Sequence, residues 1–347
     1  MRICYVNFNL KNPRDQITLR GLRENGAEIV EIADNTPGWR KYLNIARLFR
    51  ASGRDCDAVM VGYVGGILVP FMKLLTRKPV FYNALCTFFD GMILSRLAGR
   101  KFSFASAWYF LLDLLAFHAA ARSFVETTAQ KEKVRRLYKV NRRKLSMDYV
   151  GTDDREFFYD ASVPKLNQFS VVFRGMFLPE AGADIAVRAA KELESAGILI
   201  RILGRGLLLP EIEKLIRELA LKNLELITER LPIEDLRRKM LECHLSLGQL
   251  AAHPRLETTI PHKAFESMSM KLPYLTAANR GVLEILQDNE TCFTVPPGDY
   301  RALAAKIVEL RDRPADLSRV AENAHALFLR EYTPKILAGK MLSALKA

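Results

Sequence analysis

The chain has 347 residues, 49% of them hydrophobic and 26% charged, with a formal net charge of +13 at neutral pH. That length suits two domains rather than one, and the balance excludes a disordered or fibrous chain. Five scattered cysteines without a C-x-x-C, and five histidines without an H-E-x-x-H, point to neither a disulfide frame nor a metal site, so no metal is expected.

Met1 and Arg2 run straight into the strand-sized Ile3-Cys4-Tyr5-Val6, so no signal peptide is expected. Strands are predicted at 2–7, 27–32, 57–63, 79–83, 122–126 and 145–150. Amphipathic segments near 14–25, 39–52, 67–76, 104–120 and 128–138 lie between them. Short apolar strands alternating with helices predict parallel strands joined by right-handed crossovers. The stretch FSFASAWYFLLDLLAFHAAA, residues 102–121, is interrupted only by Asp113 and His118. A membrane span needs ~20 apolar residues, and an Asp at mid-span costs about 2.5–3.5 kcal/mol. The stretch therefore reads as a helix buried in a domain or docked on a bilayer surface. His118 reads as a buried, hydrogen-bonded histidine, and Asp113 as an acceptor-side group or a structural hydrogen-bonding group.

Charge is unevenly spread. Residues 1–160 carry 26 Lys and Arg against 16 Asp and Glu, a net of +10, whereas the rest carry 26 against 23. The densest part, KEKVRRLYKVNRRK at 131–144, has eight basic residues opposed only by Glu132. It is either a solvated helix face or the mark of an acidic partner such as phosphate or an anionic membrane surface. Nucleic acid is not expected, because no zinc finger, RNP-like strand or interleaved aromatic pattern accompanies the charge.

The polar stretch 151–168, with Pro164, breaks the rhythm. It predicts an N-terminal domain over 1–155, a linker over 156–168, a second domain over 169–330 and a C-terminal helix over 331–347. In the second domain strands are predicted near 169–174, 198–203, 223–227, 243–247, 273–276 and 291–295. Helices are predicted near 182–195, 209–220, 232–241, 262–270, 281–287 and 300–311, with two more from 315 to the end. The fold class is thus α/β, two Rossmann-like doubly wound domains facing a cleft, with ligands at the carboxyl ends of strands.

One stretch carries chemistry: TTIPHKAFESMSMKLPYLTA, residues 258–277. A helix opening at Pro261 would present its first N–H groups, with Lys263 beside them, to a phosphate. Glu266, three residues on, would accept hydrogen bonds from the vicinal hydroxyls of a ribose. The plainer reading is a surface Lys–Glu pair, worth ~0.2–0.5 kcal/mol.

Six segments stand in order around it: VVFRGMFLPEAGADIAVRAAKEL, ILGRGLLLPEIEKLI, LPIEDLRRKMLECHLSL, TIPHKAFESMSMKLPYLTA, ANRGVLEIL and VPPGDYRALAAKI. With them the span from Phe169 to Lys306 resembles the donor-binding half of family-4 glycosyltransferases of the GT-B type. The resemblance implies a retaining, metal-independent transfer of a hexose-type sugar from a nucleotide-diphosphate sugar, a co-substrate rather than a cofactor. The acceptor, a glycan or lipid-linked, would be held by the basic N-terminal half; that half's charge and the 102–121 helix, rather than the resemblance, suggest a cytoplasmic protein attached peripherally to the inner membrane face. Glu266 would hold the donor ribose, with Glu284 the acidic residue after the glycine turn. Gly281 would let the backbone approach the donor, and Arg230 would lie near the base. By the same resemblance Gly175 would open the turn that receives the diphosphate.

The chain departs from that pattern in two places. Thr258 stands where the resemblance implies a glutamate, with Glu257 one residue out of register. Met176 and Ala181 stand where it implies an Arg and a Lys. Arg174, Arg205, Arg255 and Lys263 are the candidates to replace those cations, and Lys263 and Arg255 are favoured because they flank the 262–270 helix. His253 and His262 flank the same loop and are candidates for a sugar hydroxyl. Two other readings remain: a degenerate GT-B binder without turnover, and a nucleotide-sugar epimerase.

Overall fold

The computed structural model of the chain describes residues 1–99 and 101–346. Two compact units are present: residues 1–152 with the chain from Thr333 on, and residues 153–332.

In the first unit, six parallel strands, β1 (Arg2–Asn7), β2 (Glu28–Ala33), β3 (Ala58–Val61), β4 (Val80–Leu85), β5 (Arg122–Val125) and β6 (Leu145–Met147), lie in the order β2-β1-β3-β4-β5-β6. Cys4 sits between Val30 and Val59 across the sheet. The inner strands are nearly unbroken runs of large apolar residues because helices cover both faces. Alternation sends Cys4, Val6, Val59, Val61, Tyr82 and Val125 to one face. There they meet α2 (Arg40–Leu48), α3 (Leu68–Leu75), α4 (Phe104–Ala119) and α5 (Thr128–Tyr138). Ile3, Tyr5, Met60, Phe81 and Phe124 take the other face, against α1 (Pro13–Glu24) and the last helix, α12 (Pro334–Lys346). The C-terminal helix expected over 331–347 is this one, which starts at Pro334 and belongs to the first unit. It lies so close on α1 that a Cβ on Gly21 would fall 2.1 Å from the Pro334 carbonyl oxygen. Helix α4 is 16 residues long, and among the described residues no helix is long and apolar enough to cross a membrane.

In the second unit β7 (Ser170–Met176), β8 (Leu199–Arg205), β9 (Leu224–Ile227), β10 (Leu245–Leu247), β11 (Tyr274–Ala277) and β12 (Phe293–Val295) are parallel in the order β12-β11-β10-β7-β8-β9. Helices α6 (Ala183–Glu192), α7 (Leu209–Leu219), α8 (Ile233–Leu241), α9 (His262–Ser269), α10 (Tyr300–Arg311) and α11 (Pro314–Glu331) surround them. The segment expected to be a linker is anchored to this unit. Ser269 Oγ donates to the Phe157 carbonyl at 2.5 Å, Leu166 N–H to Glu242 at 2.9 Å, and Lys165 Nζ to the carbonyls of Leu241 and Cys243. The helix predicted over 281–287 is only a turn, Val282–Glu284. Gly281 explains the difference: it is pressed onto the preceding loop so closely that a Cβ would lie 2.4 Å from Thr259 O and 2.6 Å from Leu256 O.

Each sheet reverses its strand order once, between β1 and β3 in the first unit and between β7 and β10 in the second. At such a point successive crossovers lead away in opposite directions and open a crevice at the carboxyl ends of the strands.

Candidate functional site

The reversal in the second unit gathers Lys263 and Glu266 of the 258–277 stretch with the end of β7. Strand β7 ends in Arg174-Gly175-Met176, β10 runs into Gly248, and α9 begins at His262 behind Pro261. No side chain caps α9, and its first turn holds no acidic residue. Its N–H groups and partial positive charge are thus not answered by a local carboxylate.

Lys263 is 5% exposed. Its Nζ lies 3.4 Å from the Gly248 carbonyl oxygen and 4.0 Å above the Phe173 ring centroid. A Cβ on Gly175 would sit 3.3 Å from the same nitrogen, and Gly175 has φ +151°, a backbone conformation side chains rarely adopt. Glycine is therefore needed there for the lysine to reach the strand end. One long hydrogen bond and a ring face replace little of the hydration that an ammonium loses. Burial, and then the Arg174 guanidinium, push the amine down to about 7, against the pull of Glu266 and Glu180.

Glu266 is 3% exposed and does not pair with Lys263 as a surface i, i+3 contact. Both of its oxygens accept from Arg174 Nη1, at 2.6 and 2.9 Å. Burial raises its carboxyl, with Arg174 and Lys263 opposing. Arg174 remains partly open to solvent and lies 5.6 Å from the Phe157 ring centroid.

The other candidates divide. Arg255 sits in the turn Pro254–Glu257 and donates from Nη1 to Glu180 Oε1 at 2.7 Å, so its charge is already partnered. His253 Nδ1 accepts the Arg255 N–H at 3.3 Å and caps that turn. His262 is half-buried at the first position of α9, and Glu284 is half-buried in the turn after Gly281. Thr258 is buried beside the exposed Glu257. Arg205 and Arg230 are exposed, at the end of β8 and after β9. Met176 is 55% exposed, while Ala181 is buried in the core, where a lysine chain has no room. His118 is exposed rather than buried, with Nε2 2.8 Å from the Tyr138 carbonyl oxygen.

Sequence reasoning did not single out Glu180: it stands inside the quoted turn, but 75 positions from Arg255, so no spacing in the sequence pairs the two. It also missed Gln249 and Asn279. Gln249 Oε1, Thr259 Oγ1 and Asn279 Nδ2 are buried atoms without a hydrogen-bond partner, all in the loops that follow β10 and β11. Buried polar groups are normally satisfied, so unsatisfied ones in these loops are suited to a hydroxyl-bearing ligand.

The first unit has a small, partly open pocket near the ends of β3 and β4, lined by Tyr63, Tyr82, Cys86, Phe88, Met92 and Arg96 among others. Val64 (φ 66°) and Leu85 (φ 59°), at its edge, hold left-handed backbone that is costly for branched side chains. Asp113 does not open onto solvent: its carboxylate accepts the N–H groups of Phe88 (2.8 Å) and Phe89 (3.0 Å) and the Tyr138 hydroxyl (3.1 Å). It fixes the cavity wall, and burial pushes its carboxyl up to about 7.

Two six-stranded parallel sheets with flanking helices, each with one reversal of order, define the two-domain α/β arrangement of GT-B proteins. Residues 168–313 match the model of the family described as "Glycosyl transferases group 1". The chain is 29% identical over 165 residues to alpha-D-kanosaminyltransferase of Streptomyces kanamyceticus, covering 47% of this chain and 42% of that protein. It is 26% identical over 200 residues to the amylovoran biosynthesis glycosyltransferase AmsK of Erwinia amylovora, covering 56% and 48%. The chain thus spans under half the length of these two curated relatives. Among solved structures, Anabaena HepE in complex with UDP-glucose superposes with a TM-score of 0.77 at 16% identity, over 100% of this chain and 99% of that one. At that identity the likeness is one of fold.

Proposed function

We propose that the protein is a retaining glycosyltransferase that moves a sugar from a nucleotide-diphosphate sugar to a glycan or lipid-linked acceptor. The observation that carries this reading is Lys263: a buried amine at the strand-order reversal, beside an uncapped helix start, whose contacts among the described residues are one long hydrogen bond to a carbonyl and the face of Phe173. A diphosphate there would supply the negative charge that the ammonium and the helix terminus both favour. In the reaction the bond between the anomeric carbon and the diphosphate oxygen breaks, and the diphosphate leaves with the electron pair. The acceptor oxygen bonds the same carbon and passes its proton to the departing diphosphate oxygen. Lys263 stabilises the charge that develops on the leaving group, while Arg174, partly open to solvent, holds Glu266 in place. Glu266 takes the ribose hydroxyls by sharing its carboxylate with Arg174. Gln249, Thr259 and Asn279 are suited to the hydroxyls of the transferred sugar. The aromatic cavity of the first unit is suited to the acceptor.

A second reading, a binder without turnover, is favoured by Met176 and Ala181 and by the pairing of Arg255 with Glu180. A thermal-shift panel of UDP, GDP, ADP and CMP with their sugar conjugates tests the donor site first. UDP leads the panel because the HepE complex contains UDP-glucose. Ligand at 100 times its Kd adds about 2.7 kcal/mol of stability. Absence of a shift with every nucleotide removes the donor site. A selective shift followed by transfer or hydrolysis of that donor removes the binder, and product identification separates transfer from epimerisation.

A further inference from the structure

We infer that the outer side of the helical layer of the first unit, centred on α4, docks on an anionic lipid bilayer. A helix packed on a sheet needs an apolar stripe on one side only. Helix α4 has more than that. Ala116 and Phe117 face the sheet, while Phe104, Trp108, Leu111 and Leu115 lie in solvent. At 3.6 residues per turn these four fall on an outward stripe only about 60° wide. Phe104 is 88% exposed, and Phe102 just before the helix is 94% exposed. Neighbouring helices of the same layer extend the patch. Leu74 of α3, Leu137 of α5, and Trp39 and Leu43 at α2 are also exposed.

The charge around the patch selects its occupant. Lys73, Arg77 and Lys78 are exposed at the end of α3, and Lys101 precedes α4. On the other side Arg135 and Arg136 of α5 are exposed, and Lys139, Arg142 and Arg143 follow. Lys144 Nζ donates to the His118 carbonyl at 2.7 Å, which holds this basic run against the end of α4. The only carboxylate in residues 131–144, Glu132, accepts from Arg135 at 2.9 Å. An apolar and aromatic stripe rimmed by Lys and Arg matches the headgroup boundary of an anionic membrane: rings enter among the upper acyl chains and cations meet phosphates. A second copy of the chain would bring the same cations against themselves, and a nucleic acid would leave the apolar stripe in water. The surface goes beyond the glycosyl-transfer reading and does not rest on it.

The chain has two tryptophans, Trp39 and Trp108. A Trp39→Phe variant therefore reports on α4 alone. Vesicles of phosphatidylcholine with about one-third phosphatidylglycerol should sediment the protein at low salt, blue-shift Trp108 and let brominated lipid quench it. Pure phosphatidylcholine should retain far less, and ~0.5 M salt should release the electrostatic part. Phe104→Asp with Trp108→Asp should lower partitioning at least tenfold. Because both side chains are exposed, the melting temperature and any nucleotide-induced shift should be kept, so loss of membrane binding and loss of the donor site are read separately. No sedimentation with anionic vesicles overturns the inference, as does binding that the double substitution leaves intact. Concentration-dependent self-association abolished by the double substitution, without vesicle binding, would assign the face to a second copy and likewise overturn it.

Discussion

The two strand-order reversals occupy the same topological place and are finished in opposite ways. In the first unit Asp15, in the first turn of α1, is fully buried. Its carboxylate accepts from the Tyr5 hydroxyl (2.7 Å), Asn7 Nδ2 (2.6 Å), Asn12 Nδ2 (2.7 Å) and Tyr63 N–H (2.9 Å). Asn12 in turn caps the Asp15 N–H. The helix start already has its anion, and the anion already has its donors. In the second unit α9 has no such carboxylate, and the charge beside its start, Lys263, has one weak acceptor. A reversal with internally matched charges is a joint; one with an under-matched cation is suited to an external anion.

The largest effect that tests this contrast is Lys263→Ala. Removing one stabilising group from a leaving-group site costs ~10²–10³ in rate. Turnover of the donor identified by the panel should fall by that factor, and affinity for the diphosphate should fall far more than affinity for the bare nucleoside. Equal losses for both would take Lys263 out of the phosphate site. Asp15→Ala should act on the other side of the comparison. It strands several buried donors, and even one costs about 1–3 kcal/mol. The melting temperature should drop by several degrees, with nucleotide affinity unchanged. A change of affinity without a change of stability would reverse the roles of the two crevices.

Much of this fold is legible because parallel strands buried on both faces read as apolar runs, and RICYVN, DAVMVGY and FSVVFR each mark a strand within a few residues. Lys263 and Glu266 are also legible, since charges inside an otherwise apolar helix need a reason. Their partners are not. Arg174 lies 92 positions from Glu266, and Glu180 lies 75 from Arg255. Only packing brings them together, and it withdraws Arg255 from the set of open cations. The run GVLEIL has helical periodicity, but Gly281 closes on the loop before it and leaves one turn. Helix α12 shows an apolar face without saying which sheet it covers. The 102–121 stretch shows how apolar it is, but not that its aromatic side stays in solvent.

A further effect follows from the amine at about 7. Because folding lowers the lysine below its ordinary value, the folded protein binds fewer protons than the unfolded chain between about 7 and 10. Stability from this group therefore rises with pH across that window. Binding of a diphosphate has the opposite sign, because it restores the ammonium and takes up a proton. Affinity for the nucleotide sugar should weaken as pH rises above 7, by up to about tenfold per unit. The groups facing Lys263 are Arg174, Glu266 and Glu180. Titration calorimetry in two buffers of different ionisation enthalpy should show proton uptake on binding at pH 8 in the unaltered protein and none in Lys263→Ala. A pH-independent affinity would mean that the diphosphate does not reach the amine.

The smallest effect concerns the cation missing from the end of β7. Met176 is more than half exposed, so Met176→Arg adds a guanidinium without disturbing packing, and stability should stay within about 0.5 kcal/mol. Ala181→Lys would instead force a charged chain into the core and should unfold the unit, so only the first substitution isolates the charge. An ion pair at an exposed site contributes up to about 1 kcal/mol, which corresponds to roughly fivefold in affinity. Diphosphate binding should tighten by that modest factor, and the gain should shrink in high salt. If Met176→Arg instead raises affinity a hundredfold, then Lys263 and Arg174 do not replace the absent pair, and the site works with a deficit that they leave uncorrected. If it changes nothing even at low salt, the end of β7 does not face the diphosphate. The contact at Lys263 would then have to approach from the Gly248 side, a geometry that Gly248→Ala would block through its collision with Thr276 at 2.3 Å.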